Sequence, residues 1–237
     1  MGELMKRNTR DFLVSFLIFG IVISGAAIGL RYYFVPRAKS TNYAWQNVLA
    51  KPPINGSQAE KIDIAAVRHF QNQETSARWR LAIHDNTADI FEIYRPILGS
   101  NFTRQNHREL NALLNYAALQ LNLAGGEAKV AFGRPRPFVT NSDLNICAAR
   151  APTDYSYPSG HAALGWLSAR ILSQFNPNHA SEILARGREF GESRVVCGVH
   201  YPSDVAGGQA LANIMLAYLA KDPEYISLHR LVLQSHQ

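Results

Sequence analysis

From Arg108 to Phe132, the side chains Leu110, Leu113, Leu114, Ala117, Ala118 and Leu121 recur every three or four residues. That interval gathers them on one face and predicts a helix over the whole stretch, with Gly125-Gly126 as the place where it would bend. The same period runs through Ile62, Ile64, Ala65, Val67 and Phe70, a short helix ending near Gln71-Asn72. It returns in Trp79, Leu81, Ala82, Ile83, Ala88, Ile90, Phe91 and Ile93, read as one helix over 75–94 closed by Arg95-Pro96. After an irregular stretch from Pro135 to Pro158, three more helices are predicted at about 161–175, 180–192 and 203–220, with a short one after Asp222-Pro223. Sustained alternation of apolar and polar residues, the mark of strands, is nearly absent. The expectation is an all-α, single-domain helical bundle without internal repeats.

One hydrophobic segment has no periodicity. Phe12 to Leu30 is apolar apart from glycines and two serines, and follows Lys6, Arg7 and Arg10. A basic head before 19 apolar residues reads as an export signal, and is also long enough to cross a bilayer once. Ser24-Gly25-Ala26 offers a small-x-small cleavage site. The unbroken continuation through Ile28 and Leu30 weighs slightly toward an uncleaved anchor. In either case the positive flank stays in the cytoplasm and the rest is sent outward. The chain therefore divides into 1–39, a signal peptide or membrane anchor with its flanks and an apolar helix; 40–58, a connector containing Lys51-Pro52-Pro53; and 59–237, the folded domain.

Charge changes the picture once it is divided. The 237 residues carry a formal +6, of which +4 falls in residues 1–39. The remaining +2 gives the domain no electrostatic footprint for nucleic acid. Apolar residues at 47% and charged residues at 18% exclude a disordered or fibrous chain. In an oxidising compartment two cysteines, Cys147 and Cys197, suggest one bridge, the competing reading being two buried free thiols.

Three clusters of reactive residues lie in the second half: Lys129, six residues, then Arg136-Pro137; Pro158-Ser159-Gly160-His161; and Ser193-Arg194, five residues, His200, three residues, Asp204. By average residue usage all three together arise by chance in fewer than about one chain in a million. Their chemistry is coherent. Lys129, Arg136 and Arg194 supply three cations for phosphoryl oxygens. Ser159 is a candidate N-cap, and Gly160 lets an anion approach the first amides of the following helix. His200 and Asp204, four apart, would share one helical face, the carboxylate orienting the imidazole for attack on phosphorus. His161 would protonate the leaving alkoxide and then deprotonate water.

These motifs resemble the type-2 phosphatidate phosphatase superfamily, a helical-bundle group that includes the bacterial class A non-specific acid phosphatases. The resemblance to that branch runs from Pro52-Pro53-Ile54-Asn55-Gly56-Ser57 to near the end of the chain, and is densest in Tyr157-Pro158-Ser159-Gly160-His161, in Asn176-Pro177, Glu182-Ile183-Leu184 and Arg186-Gly187, and in Ser193-Arg194-Val195-Val196-Cys197-Gly198. Tyr155 and Ala162 depart from the branch's Gly-Ser-Tyr-Pro-Ser-Gly-His-Thr, and Tyr201 stands where Trp is common. The resemblance implies a phosphohistidine on His200, Asp204 as its orienting partner and His161 as the acid. It implies Lys129, Arg136, Arg194, Ser159 and Gly160 as phosphate ligands, with no metal and no cofactor.

The expected activity is metal-independent hydrolysis of phosphate monoesters, outside the cytoplasm, in the periplasm or an equivalent space. The substrates are small phosphate monoesters, with lipid phosphates as the alternative if the N-terminal segment tethers the chain to a membrane; self-association is left open. A vanadate-dependent haloperoxidase ranks lower, because such chains are much longer, and a non-catalytic phosphate-binding module ranks lower still. Taken without their neighbours, other groups read as plain surface. Arg134 has surface pairing as its default, and His84-Asp85 with Asp89, though spaced like metal ligands, reads as an exposed helix face.

Overall fold

A computed structural model describes residues 44–72, 75–87, 89–147 and 152–235. The predicted apolar helix within 1–39 lies outside the described residues. Among these, helices alternate with turns and no strand occurs. The elements in order are α1 (Trp45–Val48), α2 (Gln58–Asn72), α3 (Ser76–His84), α4 (Ile90–Leu98), α5 (Arg108–Phe132), α6 (Pro137–Thr140), α7 (Gly160–Phe175), α8 (Ala180–Val196), α9 (Pro202–Leu219) and α10 (Pro223–Ser235).

The centre of the bundle is α7, which packs most extensively on α8 and α9. Nine of its side chains or glycines are buried, far more than a single apolar stripe supplies, because it is covered on several sides. Small residues make this close packing feasible. A Cβ on Gly165 would stand 2.4 Å from the Phe190 ring, and one on Gly187 would stand 2.7 Å from the Ala169 Cβ. The predicted stripe of α5 packs inward through Leu110, Leu113, Leu114, Ala117 and Leu121. Trp45 and Leu49, from the stretch before α2, are buried in the same core.

Helix α5 continues through Gly125-Gly126 as a single element of 25 residues. The predicted helix over 75–94 is instead broken. Asp85–Thr87 forms a 3-10 turn between α3 and α4. Asp85, read from sequence as exposed, is fully buried: it accepts from Ser193 Oγ at 2.5 Å and from both Nη atoms of Arg186. Helical periodicity could not reveal that interruption, because the partners lie about a hundred residues away. Helix α4 continues past Pro96 to Leu98, where Gly99 at φ 89° ends it.

Cys147 and Cys197 form a disulfide that closes a separation of 50 residues. It ties the irregular segment after α6 to the end of α8, just before the turn that carries His200.

Candidate active site

Four stretches meet at one end of the α7–α8–α9 core. Lys129 comes from the last turn of α5. Gly133, in the left-handed conformation at φ 60°, caps that helix and turns the chain into Arg134-Pro135-Arg136. Ser156 binds the same turn, its N–H donating to the Arg134 carbonyl at 2.8 Å, so residues 152–159 form a strap across it. Arg194 comes from the end of α8, and His200 from the turn before α9.

His200 is 2% exposed and Asp204 is fully buried. The His200 Nδ1 lies 3.3 Å from Asp204 Oδ2, which also accepts the Tyr201 N–H at 2.9 Å. The contact does not arise from two turns of one helix. His200 precedes α9, Tyr201 is its N-cap residue, and Asp204 reaches back from the third helical position. On the other side of the ring, Arg136 Nη1 lies 3.0 Å from Nε2 and also donates to the Val199 carbonyl at 2.8 Å. A guanidinium only donates, so Nε2 holds a lone pair and Nδ1 holds the hydrogen, given to Asp204.

The cations are crowded and differ in their partners. Lys129 Nζ pairs with Asp154 at 3.0 Å and donates to the Tyr155 carbonyl. Arg136 Nη2 meets the other Asp154 oxygen at 2.5 Å. Arg194 is 2% exposed; among the described residues its Nε has no hydrogen-bond partner, and its Nη1 approaches the Cys197 sulfur at 3.8 Å. Burial, then the field of Arg136, lowers its pKa to about 10, with Asp85 opposing. A buried guanidinium so poorly satisfied is a strong attractor for an anion.

His161 is the second residue of α7, after Gly160 and the N-cap Ser159, whose Oγ caps the helix by accepting from the Ala162 N–H at 3.4 Å. The first amides of such a helix have no intrahelical acceptor. A Cβ built on Gly160 meets nothing within 4 Å, so the space beside this helix start is left open by the protein. Gly208 of α9 is the opposite case: its Cβ would lie 2.4 Å from the Ser159 carbonyl oxygen, so α9 presses directly on the helix start. The His161 Nε2 lies 3.4 Å from the Asn86 carbonyl. Burial, then Arg194, pushes its pKa down to about 4; Asn86 opposes, while Arg136 and Lys129 add to the fall. His200 is pushed well below the ordinary imidazole value, by burial first and then by Arg136, Lys129, Arg194 and His161. The predicted groups therefore share one electrostatic neighbourhood.

Three further residues belong to it to which the sequence alone assigns no role in the site. Arg134, read as a surface residue, is 5% exposed and joins Asp204 Oδ1 at 2.6 Å to Asp63 Oδ2 at 2.8 Å. Its proximity to Arg136 in the Lys129 motif was the available signal; its carboxylate partners are some 70 residues away in the chain. Asp154 bridges the two cations described above. Asp85, by gripping Arg186 and Ser193, fixes the turn whose Asn86 carbonyl meets His161. Among the described residues, no group of three or more His, Cys, Asp or Glu is arranged to hold a metal ion.

Residues 109–227, which contain every group from Lys129 to Asp204, match the family model described as the PAP2 superfamily. The chain belongs to the PAP2 superfamily. An acid phosphatase of Zymomonas mobilis subsp. mobilis is 33% identical over 220 residues, covering 88% of this chain and 83% of that protein. A non-specific acid phosphatase of Salmonella typhimurium is 34% identical over 190 residues, covering 76% of this chain and 75% of the relative. Among solved structures, Aquifex aeolicus LpxE superposes with a TM-score of 0.52 at 22% identity, over 65% of this chain and 92% of that one. At that identity the likeness concerns the PAP2 fold alone.

Proposed function

We propose that this chain is a phosphoric monoester hydrolase of the acid phosphatase type, working through a phosphohistidine on His200 without a metal ion. The observation that carries the reading is an imidazole with its lone pair on Nε2, in the field of Arg136, Lys129 and Arg194, of which Arg194 is buried with no carboxylate hydrogen-bonded to it among the described residues. Relatives aligned over most of their length are named acid phosphatases, which supports the same reaction class.

In this mechanism the phosphoryl oxygens take up Lys129, Arg136, Arg194 and the amides at the start of α7. As Arg136 turns to the phosphoryl group it uncaps Nε2, which attacks phosphorus as the ester P–O bond breaks. Asp204 takes the growing positive charge on the ring through Nδ1–H. His161 gives its proton to the leaving oxygen, then accepts one from the water that attacks the phosphohistidine, releasing inorganic phosphate and restoring His200. The cations that attract the substrate also keep His200 neutral in acid, which suits a nucleophile working at low pH.

The compartment is proposed to be extracytoplasmic, on the basic head and apolar run of residues 1–30. Among the described residues no helix is long and apolar enough to cross a membrane. If that run remains as an anchor, it favours a lipid phosphate as substrate. The test assays p-nitrophenyl phosphate in EDTA, with and without vanadate, beside His200→Ala. Turnover insensitive to EDTA, inhibited by vanadate and lost in the variant is expected; turnover surviving His200→Ala contradicts the reading. Comparison of phosphatidate with nucleotide monophosphates then separates the substrate classes.

A further inference from the structure

The buried carboxylate behind His200 is divided between two duties. Asp204 Oδ2 serves the imidazole and the Tyr201 amide, while Oδ1 is held by Arg134 at 2.6 Å. Arg134 is itself shared. Its Nη2 donates to Asp63 of α2 at 2.8 Å, its Nη1 to Ser203 Oγ at 2.7 Å, and its guanidinium carbon lies 3.9 Å from the centre of the Tyr201 ring. Asp63 also accepts the Ser203 N–H at 3.2 Å and the Ser203 hydroxyl, so its place is fixed. Two carboxylates thus compete for one buried guanidinium.

The other charged or titratable groups facing Asp204 are Lys129 from α5, His200 and Tyr201 from the turn before α9, and Tyr157 from the strap. We propose that Arg134 is a positioning residue that holds Asp204 ionised and aimed at His200 in acid, and that its sharing with Asp63 sets the lowest pH at which the enzyme works. This inference rests on the phosphohistidine reading. Burial raises the Asp204 pKa, with Arg134 the largest opposing influence. A protonated Asp204 no longer offers the charge that stabilises the developing imidazolium, so kcat falls as pH drops through that pKa.

The two partners carry opposite signs. Arg134→Gln removes the charge that keeps Asp204 ionised, and its acid limb of kcat is expected at least about one pH unit higher than in the wild type, a tenfold loss below the limb. Asp63→Asn keeps an oxygen for Arg134 but removes the rival negative charge, so its acid limb is expected to move to lower pH. KM changes less than about threefold in either, because neither residue meets the substrate. Circular dichroism at each pH establishes that the variants are folded. If Arg134→Gln does not fold, the direction of the Asp63→Asn shift decides. A uniform loss of kcat at every pH, an unmoved acid limb, or an upward shift in Asp63→Asn overturns the inference. Wild-type turnover that survives His200→Ala defeats the phosphohistidine reading instead.

Discussion

In the proposed role of acid, His161 works against its own surroundings in the free enzyme. At a pKa of about 4, lowered by burial and nearby cations, it is mostly neutral at weakly acidic pH, yet a proton donor must be charged. A phosphoryl dianion bound as proposed would offset the field of Arg194, Arg136 and Lys129 and raise that pKa. Activity that needs the protonated ring is lost as pH rises through the raised value. The alkaline limb of kcat, measured at saturating substrate, is therefore expected well above 4; a kcat already falling near 4 contradicts this. His161→Asn should lower kcat/KM, which reports formation of the phosphohistidine and not its hydrolysis, by about a hundredfold to ten thousandfold on alkyl phosphates, and much less on p-nitrophenyl phosphate, whose leaving group needs little protonation. Equal losses on both would remove His161 from the role of acid. Gly160 offers a cleaner probe, since a methyl group there touches no protein atom. Gly160→Ala should keep or raise thermal stability while lowering kcat/KM at least about tenfold, because only an incoming anion would meet the methyl. Unchanged kcat/KM would place the phosphoryl group elsewhere. The motif residues were legible in sequence because their types and spacings are improbable together. Arg134 and Asp85 were not, because what makes them buried is a carboxylate or guanidinium far off in the chain.

Among the elements, α5, α7, α8, α9 and α10 were readable from apolar period, proline starts and the absence of strand alternation. The break at 85–87 was not, since it depends on a buried ion pair rather than on local propensity. The position of His200 differs from the sequence expectation for a related reason: spacing of four suits a helix, but the chain reaches the same contact from a pre-helical turn. The contact of α9 with the start of α7 leaves no room for a side chain at Gly208. Gly208→Ala should cost about 1–3 kcal/mol and lower Tm by several degrees, as the backbone at Ser159 has to shift. Because Ser159 begins the helix proposed to meet the phosphoryl group, kcat/KM should fall in the folded protein as well. A calorimetric Tm equal to wild type would show that the two helices adjust without cost.

Over the described residues taken together, a helical core carries a group of positive charges at one end, stapled by the Cys147–Cys197 bridge. Replacing both cysteines by serine should lower unfolding free energy by about 4 kcal/mol in the chain-entropy model, read from urea denaturation. A loss under about 1 kcal/mol would mean that packing alone fixes the His200 turn. The most direct test is to find the phosphorus in mid-reaction. Enzyme mixed with p-nitrophenyl phosphate, quenched in alkali within one turnover and digested, should yield a peptide in which His200 carries one added phosphoryl group, absent from His200→Ala. A wild-type enzyme that turns over while the label sits on another residue, or never forms, would contradict nucleophilic attack by this imidazole.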